Sequence, residues 1–302
     1  MSRLGELRDL AMHYGMRALP VEQCSAAGAR LGRTMGRRGH PAAEARARAL
    51  LPLLHAELRE PDALEAALVA LWENVGRVYA EFSVIHRMLP AGRSRLSDPA
   101  LLDAVYADDR PLILAFVHLG NWEVMGLQMA DHRLVHRGRP IAAITMPPTN
   151  RVHRLIAARQ RRVLPLDLIP MHPRIWHSVA DKLRRPGGIV WLAADDVREA
   201  HVFAPFFGRR VRLDGNLGKM VRLAAATGAR ILPIYSERLA GARFVTHLLP
   251  PIEFPPGRRS EDALLADVAR LDAVFAPIVR RLVRQWYMAV DFALDPDDPV
   301  RL

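Results

Sequence analysis

Cysteine is almost missing from this chain. Cys24 is the only one in 302 residues, which rules out an intramolecular disulfide and any zinc site built on cysteine pairs. A reducing compartment is the simplest setting. Long apolar runs are missing too: no window approaches the roughly 18 uninterrupted apolar residues that a spanning helix needs. The first residues carry Arg3, Glu6, Arg8 and Asp9 in place of a continuous apolar stretch, so neither a signal peptide nor a membrane crossing is expected. There is no internal repeat, no low-complexity tract and no G-x-S-x-G elbow, which leaves a serine hydrolase without an anchor. His132 and His136 stand four apart, but no HExxH pattern or nearby carboxylate accompanies them, so no metal or other cofactor is expected.

What is present is a globular composition, half hydrophobic and a quarter charged, with 43 Lys and Arg against 32 Asp and Glu and a net charge of +11. Such a surface attracts something anionic: nucleic acid, an acidic membrane face or an acidic carrier protein. Nucleic acid is the less fitting partner, since the chain has no aromatic-rich stacking motif and no zinc finger. Salt would weaken all these associations.

Residues 1–92 read as helical, with apolar positions at helical spacing in "LRDLAMHYGMRAL" and "ALEAALVALWENVGRVYAEF". The arginine-dense stretch between them is either a solvated helix face or a surface for anionic headgroups. From residue 93 to 302, β-rich runs alternate with helical ones: "PLILAFV" then "EVMGLQMADHRLVH", "PIAAIT" then "NRVHRLIAARQRR", "GGIVWLAAD" then "NLGKMVRLAAAT" and "ARILPIYSE". The alternation predicts an α/β fold with a mostly parallel central sheet flanked by helices. "ARILPIYSERLA" and "GARFVTHLLP" are close enough for a hairpin, "EDALLADVARLDAVFAPIVRRLVRQW" is a long amphipathic helix, and "YMAVDF" is expected to add a last edge strand. No flexible linker divides the halves, so one domain with a helical N-terminal extension is expected.

The chemistry concentrates in "HLGNWE", residues 118–123. If the run before it is a strand, His118 lies at the strand's carboxyl end, where α/β sheets carry their ligand sites. Asn121 then caps the following helix and Glu123 stands in its first turn. A helix running straight through would hold the two apart around its axis, whereas a strand–turn–helix with Gly120 in the turn can bring the carboxylate back to the imidazole. A carboxylate on one ring nitrogen sets the tautomer and stabilises the imidazolium that forms when the other accepts a proton. The plainer alternative is a hydrogen-bonded core histidine and a glutamate that favours the helix dipole.

"HLGNWE" resembles the H-x4-[DE] motif of glycerolipid acyltransferases. More closely, it resembles the bacterial family of late lipid A acyltransferases, which also holds the phosphatidylinositol mannoside acyltransferases. The opening segment, "LWENVGRVYAEF", "TNRVHRLIAARQRR", "GGIVWLAADDVREAHVFAPFFGRRV" and "GNLGKMVRLAAATGARILPIYSERL" are similar to family segments in the same order.

The resemblance implies that His118 deprotonates an acceptor hydroxyl with Glu123 orienting it. The hydroxyl then attacks an acyl thioester of acyl carrier protein or coenzyme A, without an acyl-enzyme. The acceptor would be a membrane glycolipid such as a lipid A precursor, or alternatively a mannosylated phosphatidylinositol or another glycolipid or aminolipid. Many members begin with a spanning helix, and its lack here implies peripheral attachment at the cytoplasmic face of a bacterial inner membrane. Members often carry a second acid where this chain has Val197, which leaves the roles of Asp195 and Asp196 open.

Arg161, with Arg159 and Arg162 beside it, could hold a phosphate-bearing headgroup or carrier, or belong to an exposed basic face. Asp195 either closes the strand beside the site and orients other groups there, or caps the next loop. Phe206, Phe207 and Gly208 either shape an acyl tunnel or pack the core. Asn121 joins Arg161, Asp195, Phe206 and Phe207 as the residues expected around the substrate.

Overall fold

A computed structural model describes residues 3–137, 141–145, 151–161, 166–170, 172 and 174–302. The first part of the chain is helical: α1 (Arg3–Ala18), α2 (Val21–Leu31), α3 (Arg37–Gly39), α4 (Pro41–Leu54) and α5 (Pro61–Glu81). Pro41 and Pro61 open α4 and α5 where a helix has no use for the missing N–H. Gly28 and Gly32 let α2 lie directly on the α5 backbone, and a Cβ on Gly28 would meet the Gly76 carbonyl oxygen at 2.6 Å. That close crossing brings Ser25 of α2 against Glu81 at the end of α5.

The remainder is the expected α/β unit. Its strands are β1 (Ser94–Leu96), β2 (Leu112–Phe116), β3 (Ile141–Thr145), β4 (Leu166–Pro170), β5 (Ile189–Ala193), β6 (Val197–Arg198), β7 (His201–Val202), β8 (Arg230–Arg238) and β9 (Phe244–Leu248). The helices are α6 (Pro99–Ala107), α7 (Trp122–Arg137), α8 (Arg151–Arg161), α9 (Ile175–Arg184), α10 (Asn216–Thr227) and α11 (Glu261–Arg281). Seven strands form one sheet in the order β1-β9-β8-β2-β5-β3-β4, and β6 and β7 form a separate two-stranded ribbon. Neighbours in the large sheet run parallel except β8 and β9, which make the expected antiparallel hairpin.

Strand β2 is central, and all five of its residues are buried. Covering on both faces explains its unbroken apolar run, since a strand with one wet face would alternate. On one side, Ile113 and Ala115 share an apolar cluster with Leu50, Leu54 and Leu68 of the N-terminal helices and with Trp286. On the other, Leu112, Leu114 and Phe116 pack with Met125, Met129 and Trp191. Among the described residues, no helix is long and apolar enough to cross a membrane.

The segment "YMAVDF" departs from expectation. It is a 3-10 turn over Tyr287–Asp291, not an edge strand. The backbone just before it is drawn instead onto the loop after β2. Gly120 donates to the Gln285 carbonyl at 3.2 Å, Tyr287 N–H donates to the His118 carbonyl at 2.9 Å, and Leu119 and Trp286 form an isolated antiparallel bridge. These contacts commit the strand-like stretch to three residues of a loop, far from a sheet edge.

Candidate active site

His118 and Asp195 meet because of strand register. Parallel β2 and β5 pair Phe116 with Ala193, so the residues two positions beyond each strand end face one another across the carboxyl edge of the sheet. Asp195 is 0% exposed. Its Oδ1 lies 2.8 Å from His118 Nδ1, and its Oδ2 accepts from the His118 backbone N–H at 2.9 Å and from the Trp286 indole N–H at 2.8 Å. A carboxylate can only accept, so it places the imidazole proton on Nδ1 and leaves the Nε2 lone pair available. The His118 side chain retains 18% exposure, enough to reach a reacting group from a site that is otherwise enclosed.

This corrects the pairing expected from the sequence. Nδ1 belongs to Asp195 and not to Glu123, 72 residues nearer in the chain. Spacing along the chain could suggest Glu123, but only the β2–β5 register brings Asp195 under the ring. Glu123 is half-buried in the first turn of α7, where its backbone N–H donates to Asn121 Oδ1 at 3.2 Å.

Asn121 caps α7 as expected, with Oδ1 also accepting from Val124 N–H at 3.2 Å. It is buried, and its amide donates to Glu81 Oε2 at 2.7 Å, so both ends of the side chain are engaged within the protein. Gly120 adopts φ +57°, and a Cβ there would meet the Ser236 carbonyl oxygen at 2.6 Å, so the turn requires glycine on both counts.

Behind the loop lies a buried polar network that sequence reasoning missed. Glu81 is 0% exposed and takes both guanidinium nitrogens of Arg238, at 2.6 and 2.9 Å, as well as the Ser25 hydroxyl at 2.6 Å. Arg238 Nε donates to Asn74 Oδ1 at 2.8 Å, and Asn74 Nδ2 donates to the Gln285 carbonyl at 3.0 Å. The Gln285 side chain closes two hydrogen bonds with the Arg238 backbone. A signal existed: Leu71, Asn74, Val75, Val78 and Glu81 fall on one helical stripe, and two polar residues on an apolar stripe require partners.

Aromatic rings flank His118. Phe116 and Trp122 stand edge-on to His118 with centroids at 5.2 and 4.9 Å, and Trp122 contacts Tyr287 at 5.1 Å. The Tyr287 hydroxyl is 2.7 Å from that of the exposed Tyr79. Burial, reinforced by Tyr79, pushes the Tyr287 phenol well above its ordinary value.

Asp196 is turned away from His118. Its Oδ1 accepts from Asn216 N–H at 2.8 Å at the start of α10 and its Oδ2 from Arg198 at 3.1 Å. Burial nevertheless raises its carboxyl above the usual range. It is a helix-end anchor.

Phe206 and Phe207 lie in the core at 0% and 2% exposure. Their rings surround Trp286 at 5.9 and 5.8 Å. Phe207 adopts φ +67°, a conformation that costs a non-glycine residue about 1–2 kcal/mol and is held by this burial. Arg161 ends α8, but its side chain, Arg162 and the side chain of His136 lie outside the described residues. His132 pairs with Asp103 at 2.7 Å. Cys24 is buried and donates to the Ala80 carbonyl, with burial pushing its thiol up to about 11.

Fold and site together define an α/β protein with a carboxylate-oriented histidine at the carboxyl end of its central strand. The family model for bacterial lipid A biosynthesis acyltransferases matches residues 9–289, and the chain belongs to that family. It is 28% identical over 183 residues to a phosphatidylinositol mannoside acyltransferase of Mycobacterium tuberculosis strain ATCC 25618 / H37Rv, a segment that is 58% of this chain and 54% of the relative. A phosphatidylinositol mannoside acyltransferase of strain CDC 1551 / Oshkosh is 27% identical over the same shares. The chain thus spans about half the length of the curated relatives it matches.

Proposed function

We propose that this protein moves a fatty acyl chain from an acyl thioester, on acyl carrier protein or coenzyme A, to a hydroxyl of a membrane glycolipid. The observation that carries the reading is the Asp195–His118 pair at the sheet's carboxyl edge. With Nδ1–H held by Asp195, Nε2 takes the acceptor's hydroxyl proton as that oxygen attacks the thioester carbonyl. The tetrahedral intermediate then collapses, the C–S bond breaks, and the imidazolium returns the proton to the leaving thiolate. No acyl-enzyme forms. Glu123 is proposed as a second carboxylate at the site's rim, and Arg161 as a contact for a phosphate-bearing donor or acceptor.

The family points to a lipid A precursor as acceptor and the relatives' names to a mannosylated phosphatidylinositol. Both present sugar hydroxyls, which a neutral histidine base can activate. Peripheral attachment to the cytoplasmic membrane face is supported by the +11 charge and by exposed Leu7, Met12 and Tyr14 of α1 and Leu155 of α8, which lie among Arg8, Arg154 and Arg159.

The test is a mass-spectrometric lipid profile of the source bacterium with the gene deleted, then complemented with wild type or His118→Ala. One lipid should lose an acyl chain, and only wild type should restore it. Restoration by His118→Ala would overturn the mechanism. The mass of the affected lipid separates the two acceptors.

A further inference from the structure

The geometry points to Trp286 as a positioning residue that holds Asp195 in the orientation the base requires. The inference rests on His118 being the base and adds a residue to that site. Asp195 is fully buried and its two oxygens have unequal surroundings. Among the described residues Oδ1 has the imidazole as its one hydrogen-bond partner, whereas Oδ2 receives two N–H donors, the His118 backbone at 2.9 Å and the Trp286 indole at 2.8 Å. The pair of donors on Oδ2 fixes the carboxylate's rotation and leaves Oδ1 aimed at Nδ1. Without the indole N–H, the backbone donor alone would hold Oδ2, and the carboxylate could rotate out of line with Nδ1, weakening the bond that keeps the proton on that nitrogen.

Trp286 can do this because it cannot move. It is 0% exposed and enclosed by Phe206, Phe207 and Phe292, with ring centroids 5.8 to 5.9 Å away. Its backbone is strapped across the loop after β2 by the Gly120–Gln285 and Tyr287–His118 hydrogen bonds. The strap is itself anchored by the paired hydrogen bonds of the Gln285 side chain to the Arg238 backbone. The same three residues therefore hold both members of the pair, His118 through its carbonyl and Asp195 through its Oδ2. The buried Phe206 and Phe207 gain a purpose here as the wall that sets the indole.

The experiment compares wild type with Trp286→Phe and with protein carrying β-(3-benzothienyl)alanine at position 286, which keeps the indole shape and replaces N–H by sulfur. The readout is the His118 tautomer, from 1H–15N correlations of histidine-labelled protein at a pH where the ring is neutral, with the signal assigned by its loss in His118→Gln. Wild type should carry the proton on Nδ1. Both altered proteins should shift proton occupancy toward Nε2, the nitrogen that has to accept. With palmitoyl-coenzyme A as donor, kcat should fall about 10- to 100-fold with KM changing far less. Phe292→Leu, in the same aromatic cluster but without a bond to Asp195, should lower stability and leave the tautomer as in wild type.

The sulfur isostere keeps the test valid if Trp286→Phe does not fold. An unchanged Nδ1 proton in the folded altered proteins would reduce Trp286 to packing and overturn the proposal. The tautomer needs no substrate. Inactivity of wild type toward palmitoyl-coenzyme A would therefore count against the proposed reaction and leave this result standing.

Discussion

Asp195→Asn is the perturbation that bears most directly on the base. The carboxylate accepts three hydrogen bonds, two on Oδ2 and one on Oδ1. An asparagine amide has one oxygen, and the two N–H donors that meet Oδ2 require it there. The NH2 group then faces His118 Nδ1, where two donors cannot meet. The ring must present Nδ1 as the acceptor, which moves its proton to Nε2 and abolishes the base. The same inversion of tautomer in the serine-protease triad costs roughly 10^4 in kcat, and a loss of about 10^3 to 10^4 here corresponds to about 4–5.5 kcal/mol of barrier. The cost to stability should be far smaller, on the order of 1–3 kcal/mol for one charge-assisted hydrogen bond. Single-turnover acyl transfer and urea unfolding of the same preparations separate the two effects. Glu123→Gln in parallel decides which carboxylate orients the ring. If Asp195→Asn kept kcat within about tenfold of wild type while Glu123→Gln lost more, the assignment to Asp195 would be refuted.

Two further outcomes follow from the buried charges. Arg238→Met leaves Glu81 buried without its cation, which should cost about 3–5 kcal/mol in urea unfolding; a loss under about 1 kcal/mol would mean that Ser25 and Asn121 suffice to hold it. Asp272 on α11 has a buried Oδ1 without a hydrogen-bond partner among the described residues, and burial raises its carboxyl to about 7, opposed by Arg209. The folded state therefore holds this proton more tightly than the unfolded one, so its contribution is fully present below about pH 4 and is lost as pH rises through about 7. Asp272→Asn should flatten the stability profile between those pH values, and a profile identical to wild type would contradict the burial argument.

The location of the site was legible because its cause is local. An apolar run ending in His118, a glycine that can take positive φ and an asparagine that can cap a helix are all written in consecutive residues, and each did what its chemistry allows. The helix–strand alternation was legible for the same reason, since burial on both faces leaves strands such as β2 and β5 continuously apolar. The hairpin of β8 and β9 needed only a short turn between two strand-like runs.

The partners in the site were not legible in this way. A carboxylate five residues from a histidine is the natural choice along the chain, yet the register of β2 on β5 gives Nδ1 to Asp195. Asn121 is expected beside substrate, and the packing of the end of α5 on the loop after β2 gives its amide to Glu81. Trp286 looks like the end of a long helix and Tyr287 like the start of an edge strand, until the loop after β2 takes the backbone hydrogen bonds around them. The amino-acid sequence alone thus determined the α/β class, the place of His118 at a strand end and the turn that follows it, because propensity, capping and alternation act over a few residues. Which groups surround His118 was decided only by tertiary structure, because sheet register and helix packing join residues about 40 to 170 positions apart, and no local pattern records those distances.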